Sequence, residues 1–190
     1  MTPRILAFSG SLRTGSYNHL MVQNAANGAK AAGAEVTVIR LADFNLPLFD
    51  EDLEAKGTPD GAKRLKELMK SHHGLLIASP EYNSSITAAL KNAIDWASRP
   101  APNEKPLECF AYKVAGLMGA SPGNLGGLRG LVHLRAILGN IQTLVIPDQF
   151  ALVKAHEQFD DKGIIKDEKQ RAAVENIGKR VAEVARKLNG

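Results

Sequence analysis

Two stretches far apart in this chain carry the residue types needed to hold one small anionic molecule. The first is Phe8-Ser9-Gly10-Ser11-Leu12-Arg13-Thr14-Gly15-Ser16-Tyr17-Asn18, and the second is Ser79-Pro80-Glu81-Tyr82-Asn83-Ser84-Ser85. Ser9, Ser11, Ser16 and Asn18 offer side-chain donors, and Gly10 and Gly15 allow backbone amides to turn inward. Arg13 presents a planar fork that grips phosphate oxygens two at a time. A helix starting directly after this loop adds partial positive charge. The second loop is polar and carries the aromatic Tyr82, which suits the flat end of the same ligand. Ser16 and Asn18 are also good helix caps, a role compatible with phosphate binding.

The spacing narrows the kind of phosphate. Gly10-x4-Gly15 has the glycine interval of a P-loop, but that motif needs Lys and then Ser or Thr after the second glycine. Ser16 and Tyr17 stand there instead. Without the lysine, a triphosphate lacks the charge neutralisation it depends on. The G-x-G-x-x-G dinucleotide fingerprint is absent, and the second strand ends at Arg40 rather than at an acid for a ribose hydroxyl. A monophosphate fits what remains.

The elements that must position these loops can be read from hydrophobic periodicity. Apolar or alternating runs predict strands at Arg4–Phe8, Glu35–Ile39, Gly74–Ser79, Tyr112–Met118 and Gln142–Ile146. Helical spacing predicts helices over about Asn18–Ala32, Pro59–Lys70, Thr87–Ala97, Leu128–Leu138 and Asp167–Leu188. Leu41–Asp60 reads as loop, residues 147–165 as irregular, and a glycine-rich loop, Gly119–Gly127, precedes the fourth helix. Strict β-α alternation implies a parallel sheet covered on both faces, with right-handed crossovers. The fold class is therefore α/β, a doubly wound five-stranded parallel sheet with helices on both faces. A strand order of 2-1-3-4-5 puts the switch point between strands one and three, where the two loops emerge.

The residues around both loops resemble a known family. Gly10-Ser11-Leu12-Arg13 with Ser16 and Asn18, then Pro80-Glu81-Tyr82-Asn83 and Leu90-Lys91-Asn92-Ala93-Ile94-Asp95-Trp96, are similar to the NADPH-dependent FMN reductases of the flavodoxin-like superfamily. That group includes quinone, chromate and azo-dye reductases. The resemblance covers roughly residues 3–150. It implies FMN, with its phosphate in the loop carrying Ser9, Ser11, Arg13, Ser16, Tyr17 and Asn18. It places the flavin ring against Pro80, Glu81, Tyr82, Asn83 and Ser84, with Ser121 nearby. NADPH or NADH is the implied co-substrate, and a small molecule the implied electron acceptor, in ping-pong order. Ser84 departs from the family pattern, which usually has glycine there. Backbone and Asn83 contacts to the ring's pyrimidine edge and proton transfer by Glu81 both stand as readings, although in a flavoenzyme the cofactor does the redox chemistry. A flavodoxin-type electron carrier that does not oxidise pyridine nucleotide is the alternative from another class.

Composition sets the remaining bounds. A chain of 190 residues with 44% hydrophobic and 23% charged residues suits one domain spanning residues 1–190. The net charge of +4 and pI near 9.2 fit an anionic ligand and argue against an acidic carrier. The basic stretches Lys63–Lys70 and Lys179–Lys187 have the spacing of solvated helix faces, and aromatics are only 5%, so a nucleic-acid footprint is missing. His72-His73 precede the third strand, away from the proposed site, and no ligand set with metal spacing occurs. A single cysteine, Cys109, points to a reducing compartment, and no run has the length of a membrane helix, so a cytoplasmic location is expected. Lys91 and Asp95 have i,i+4 spacing, and Trp96 suits packing or a partner chain. The fourth helix has more apolar positions (Leu128, Leu131, Val132, Leu134, Leu138) than one core-facing stripe needs. The resemblance also puts a partner chain beside the flavin, so a homodimer or homotetramer is expected, with Leu131 and Leu134 in the contact.

Overall fold

The computed structural model describes residues 1–190. Strand β1 (Arg4–Ser9) leads through the first polar loop into helix α1 (Tyr17–Ala31) and then strand β2 (Glu35–Arg40). A 3-10 turn (Leu41–Phe44) and the short α2 (Glu51–Glu54) precede α3 (Asp60–Ser71) and β3 (Gly74–Ala78). The second polar loop is a small hairpin, β4 (Glu81–Tyr82) and β5 (Ser85–Ile86), followed by α4 (Ala88–Ser98). Then come β6 (Val114–Ala120), α5 (Leu128–Asn140), β7 (Leu144–Leu152), α6 (Ala155–Gln158) and α7 (Glu168–Asn189).

The five long strands are all parallel, in the order β2-β1-β3-β6-β7, which is the flavodoxin-like 2-1-3-4-5 arrangement expected from the sequence. Strand alternation divides the core. Ile5 and Ala7 join Met21, Ala25, Val174 and Val181 from α1 and α7 on one face, and Leu6 and Phe8 join Leu65, Leu90 and Leu134 from α3, α4 and α5 on the other. Helices α1 and α7 pack unusually close. A methyl group on Gly28 would collide with the Glu175 carbonyl, and one on Gly178 with the Ala25 carbonyl, so only glycine permits this approach.

Three expectations need correction. Strand β7 does not stop at Ile146 but continues to Leu152, past a break in the ladder. Ala115 pairs with Val145 and Leu117 with Gln149, so the chain bulges around Pro147 and re-enters the sheet. Proline has no N–H to give the ladder, which hid the continuation, and an edge strand tolerates it. The loop over 41–60 holds two short helical turns and is pinned to α4. The Trp96 indole N–H and the Asn92 amide both donate to the Pro47 carbonyl at 2.8 Å, while Asn92 Oδ1 accepts the Phe49 N–H at 2.7 Å. Trp96 is fully buried, so of its two readings it packs within the chain. Leu131 and Leu134, expected at a subunit contact, are also fully buried, because the sheet-facing side of α5 is the one that carries them.

Candidate active site

The site lies at the carboxyl ends of β1, β3 and β6, and backbone bonds hold its loops together. Gly10 N–H donates to the Ala78 carbonyl at 2.9 Å, and Ser79 N–H to the Met118 carbonyl at 2.8 Å. The Thr87 hydroxyl caps α4 by accepting the Leu90 N–H and also donates to the Gly10 carbonyl at 2.6 Å. One side chain thus joins the helix after the second loop to the first loop.

Asn18 was expected to supply a side-chain donor to phosphate, but its amide is engaged elsewhere. Its Nδ2 donates to the Ala120 carbonyl at 2.8 Å and its Oδ1 accepts the Ala120 N–H at 2.9 Å, in a buried site. This double bond pattern aligns the loop after β6 with the start of α1. Ser9 is likewise buried, and its hydroxyl accepts the Ser11 N–H. The capping alternative for Ser16 is not realised: it occupies the N-cap position with extended backbone, yet its hydroxyl makes no capping bond. The Tyr17 and Asn18 N–H groups, first of the helix, have no acceptor in the chain. An uncapped helix start beside hydroxyls and a guanidinium is suited to an anion.

Around these groups is a cleft of about 250 Å³ lined by Ser11, Arg13, Ser16, Tyr17, Asn18, Pro80, Glu81, Tyr82, Ala120, Ser121 and Pro122. A second space of about 490 Å³ shares Glu81 and Ser121 with it and is lined also by Asn83, Ser84, Gly123, Asn124, Leu125, Gly127 and Arg129. Apart from Ser9, every residue expected at the site lines one of these two spaces. Arg13 is exposed, donates to the Gly15 carbonyl at 3.1 Å and has no carboxylate partner.

Glu81 is tied to the start of α5. Its carboxylate accepts from Arg129 Nε at 2.7 Å, from the Arg129 N–H at 3.0 Å and from the Gly130 N–H at 3.2 Å. Burial pushes its carboxyl up, but the Arg129 guanidinium and the two N–H groups outweigh that and hold it below the usual carboxylate range. Glu81 is therefore ionised at neutral pH, and the geometry is against its acting as an acid. Asn83 and Ser84 form the hairpin turn with φ of 49° and 65°, so the serine that replaces the family's usual glycine sits in the left-handed region.

The sequence reading missed Arg129 and the lining residues Gly123, Asn124 and Leu125. The glycine-rich loop was visible there, but nothing marked Arg129, whose partner lies 48 residues away. His72 and His73 sit at the opposite end of the sheet, where His73 accepts the Arg4 N–H at the start of β1. No three metal-ligating side chains cluster anywhere in the chain.

Residues 3–157 match the family model for NADPH-dependent FMN reductases. An NAD(P)H-dependent FMN reductase of Pseudomonas aeruginosa is 39% identical over 195 residues, covering 98% of this chain and 97% of the relative. An NAD(P)H:quinone oxidoreductase of Solanum tuberosum is 35% identical over 193 residues, covering 98% and 95%. Among solved structures, a flavoenzyme NAD(P)H:(acceptor) oxidoreductase of Paracoccus denitrificans superposes with a TM-score of 0.82 at 27% identity, covering 98% of both chains.

Proposed function

The chain belongs to the NADPH-dependent FMN reductase family and is an FMN-dependent NAD(P)H oxidoreductase, and we propose that the cleft between the Ser9–Asn18 and Pro80–Ser84 loops is where FMN binds. One observation carries this assignment: the uncapped start of α1, Arg13 and the hairpin border two adjoining spaces that share Glu81 and Ser121 at the switch point of the sheet. The Tyr17 and Asn18 N–H groups, the Ser11 and Ser16 hydroxyls and Arg13 would hold the phosphate. Backbone amides of the turn residues Asn83 and Ser84 would face the ring. Amides so placed stabilise negative charge that develops on a polar ring edge.

The chemistry FMN supplies when bound is acceptance of a hydride from reduced nicotinamide and return of the electron pair to an acceptor. The protein's part is to orient and to exclude competing geometry. The Glu81–Arg129 contact keeps the hairpin against α5, and Asn18 keeps the Ala120–Pro122 loop against α1. Both walls of the cleft are thereby set before any ligand arrives. The acceptor is a small molecule, a quinone first, with free flavin, chromate or an azo compound in the same role. The name of the Solanum tuberosum relative supports a quinone, and the larger of the two spaces gives it room. NAD(P)H and the acceptor would take turns at that space, giving ping-pong kinetics.

We further propose that the protein is cytoplasmic and a homodimer or homotetramer. No helix is long and apolar enough to cross a membrane. Leu125, Leu128 and Val132 project exposed from α5 and the loop before it, next to the second space. Mixing the purified yellow protein with NADPH under nitrogen tests the central reading. Rapid bleaching, reversed by adding a quinone, is expected. An FMN-loaded protein that NADPH and NADH both fail to bleach would favour the electron-carrier alternative.

A further inference from the structure

The segment after β7, which the sequence left as irregular, reaches back to the first loop. Phe159 pairs with Ile165 in an isolated antiparallel bridge. Between them Asp160 builds the turn: its Oδ1 accepts the N–H groups of Lys162 at 2.9 Å and Ile164 at 2.8 Å. Asn24 of α1, only 1% exposed, clips this turn to the helix. Its Nδ2 donates to the Gly163 carbonyl at 2.9 Å, and its Oδ1 accepts the Ile165 N–H at 3.2 Å.

Two helical turns before Asn24, the Tyr17 ring lies parallel to Phe159, with centroids 6.2 Å apart and an interplanar angle of 3°. The Arg13 guanidinium stands over the Tyr17 ring, 5.2 Å from its centroid. A chain of contacts therefore runs from the Asn24-clipped turn through Phe159 and Tyr17 to Arg13. A long, exposed arginine loses rotamer freedom when it closes on a phosphate, whereas one already seated on a fixed ring loses less.

We propose that Phe159 is a positioning residue for the cofactor's phosphate: it fixes the Tyr17 ring, which seats Arg13, and so favours phosphorylated flavin over riboflavin. This rests on the reading that the Ser9–Asn18 loop holds the FMN phosphate. Phe159 itself lines neither part of the cleft. Its effect is on the phosphate end and not on the ring.

The test uses protein stripped of flavin and titrated separately with FMN and riboflavin, following quenching of flavin fluorescence. Phe159→Leu keeps an apolar side chain against the neighbouring core but removes the ring face. The ratio of riboflavin Kd to FMN Kd is expected to fall about threefold or more, the scale of losing an exposed cation–π seat. General loosening of the fold would weaken both flavins alike, and a ratio that falls by less would overturn the proposal. Tyr17→Leu removes the second ring and is expected to lower the ratio as far, so an unchanged ratio there also overturns it. Arg13→Ala separates the two levels of the argument. If it leaves the ratio at the wild-type value, the phosphate-loop reading itself fails. If it collapses the ratio while Phe159→Leu does not, only the role of Phe159 fails.

Discussion

The Glu81 carboxylate caps a helix that begins 47 residues after it, receiving the backbone N–H of Arg129 at 3.0 Å together with Arg129 Nε at 2.7 Å. Helix α5 has no cap of its own, because its N-cap residue is Gly127 in a left-handed conformation. A second bond, from His133 to the Ser85 hydroxyl at 2.9 Å, ties the same hairpin to α5 one turn further on. The hairpin that borders the cleft and the helix beside it are thus fastened at two points.

Replacing Glu81 with Gln puts an amide N–H or a neutral oxygen where Arg129 and two backbone N–H groups need an anion. The variant is expected to lose about 1.5–3 kcal/mol of stability, the scale of a charged hydrogen bond. Flavin reduction by NADPH should stay within about tenfold of wild type, below the usual range for losing a general acid. Stopped-flow bleaching alongside chemical denaturation checks both. A thousandfold drop with FMN still bound would show that Glu81 transfers a proton after all.

Ser84 holds φ of 65°, where a side chain is strained and glycine is not. Ser84→Gly is expected to stabilise the protein by about 1 kcal/mol, the usual left-handed penalty. A Val there should do the reverse, since β-branching fits this region poorly. Thermal melts of the three proteins decide it, and a Gly variant no more stable than wild type would show that Ser84 has compensating contacts.

His72 gives stability a pH dependence. It is buried, with Nδ1 2.6 Å from the Leu68 carbonyl and Nε2 2.9 Å from the Thr37 hydroxyl. Burial lowers its pKa below the ordinary 6.5, with the charges of Arg4 and Lys113 adding to the effect. The unfolded chain therefore binds this proton first as pH falls through about 6.5, and stability drops with it. His73 and His19 are shifted in the same direction, mainly by burial. Melting temperature is expected to decline from pH 7.5 towards pH 5.5, both about a unit from that value. His72→Gln should flatten the decline. An equally steep decline in that variant would remove His72 from the explanation.

The sheet was legible because it rests on local patterns: Ile5 and Ala7 alternate with Leu6 and Phe8, and Gly33 ends α1 where the periodicity ends. The two cleft loops were legible because hydroxyls, glycines and Arg13 are close together in the chain. What escaped depends on long-range pairing. The Asn18 amide is taken by Ala120, 102 residues away, and Arg129 by Glu81, so neither role has a local signature. Pro147 hid the second half of β7, since a residue without an N–H reads as a strand end.

The same limit explains the misplaced contact on α5. Periodicity showed surplus apolar residues on this helix, but not which of them faced the sheet. Leu131 and Leu134 are fully buried, while Leu128 is 42% and Val132 61% exposed, with Leu125 at 48% just before them. If a second copy covers that exposed set, Val132→Arg places a charge in the contact and should lower oligomer mass while leaving the fold intact. Leu131→Arg should instead unfold the chain, because it buries an unpaired charge in the core. A stable contact needs at least about 1,000 Å² of total buried area, more than these three side chains supply, so other exposed surface such as Tyr82 must join it. Light scattering and circular dichroism on both variants separate the outcomes. A wild-type protein that is a fully active monomer at micromolar concentration would end the case for assembly through α5.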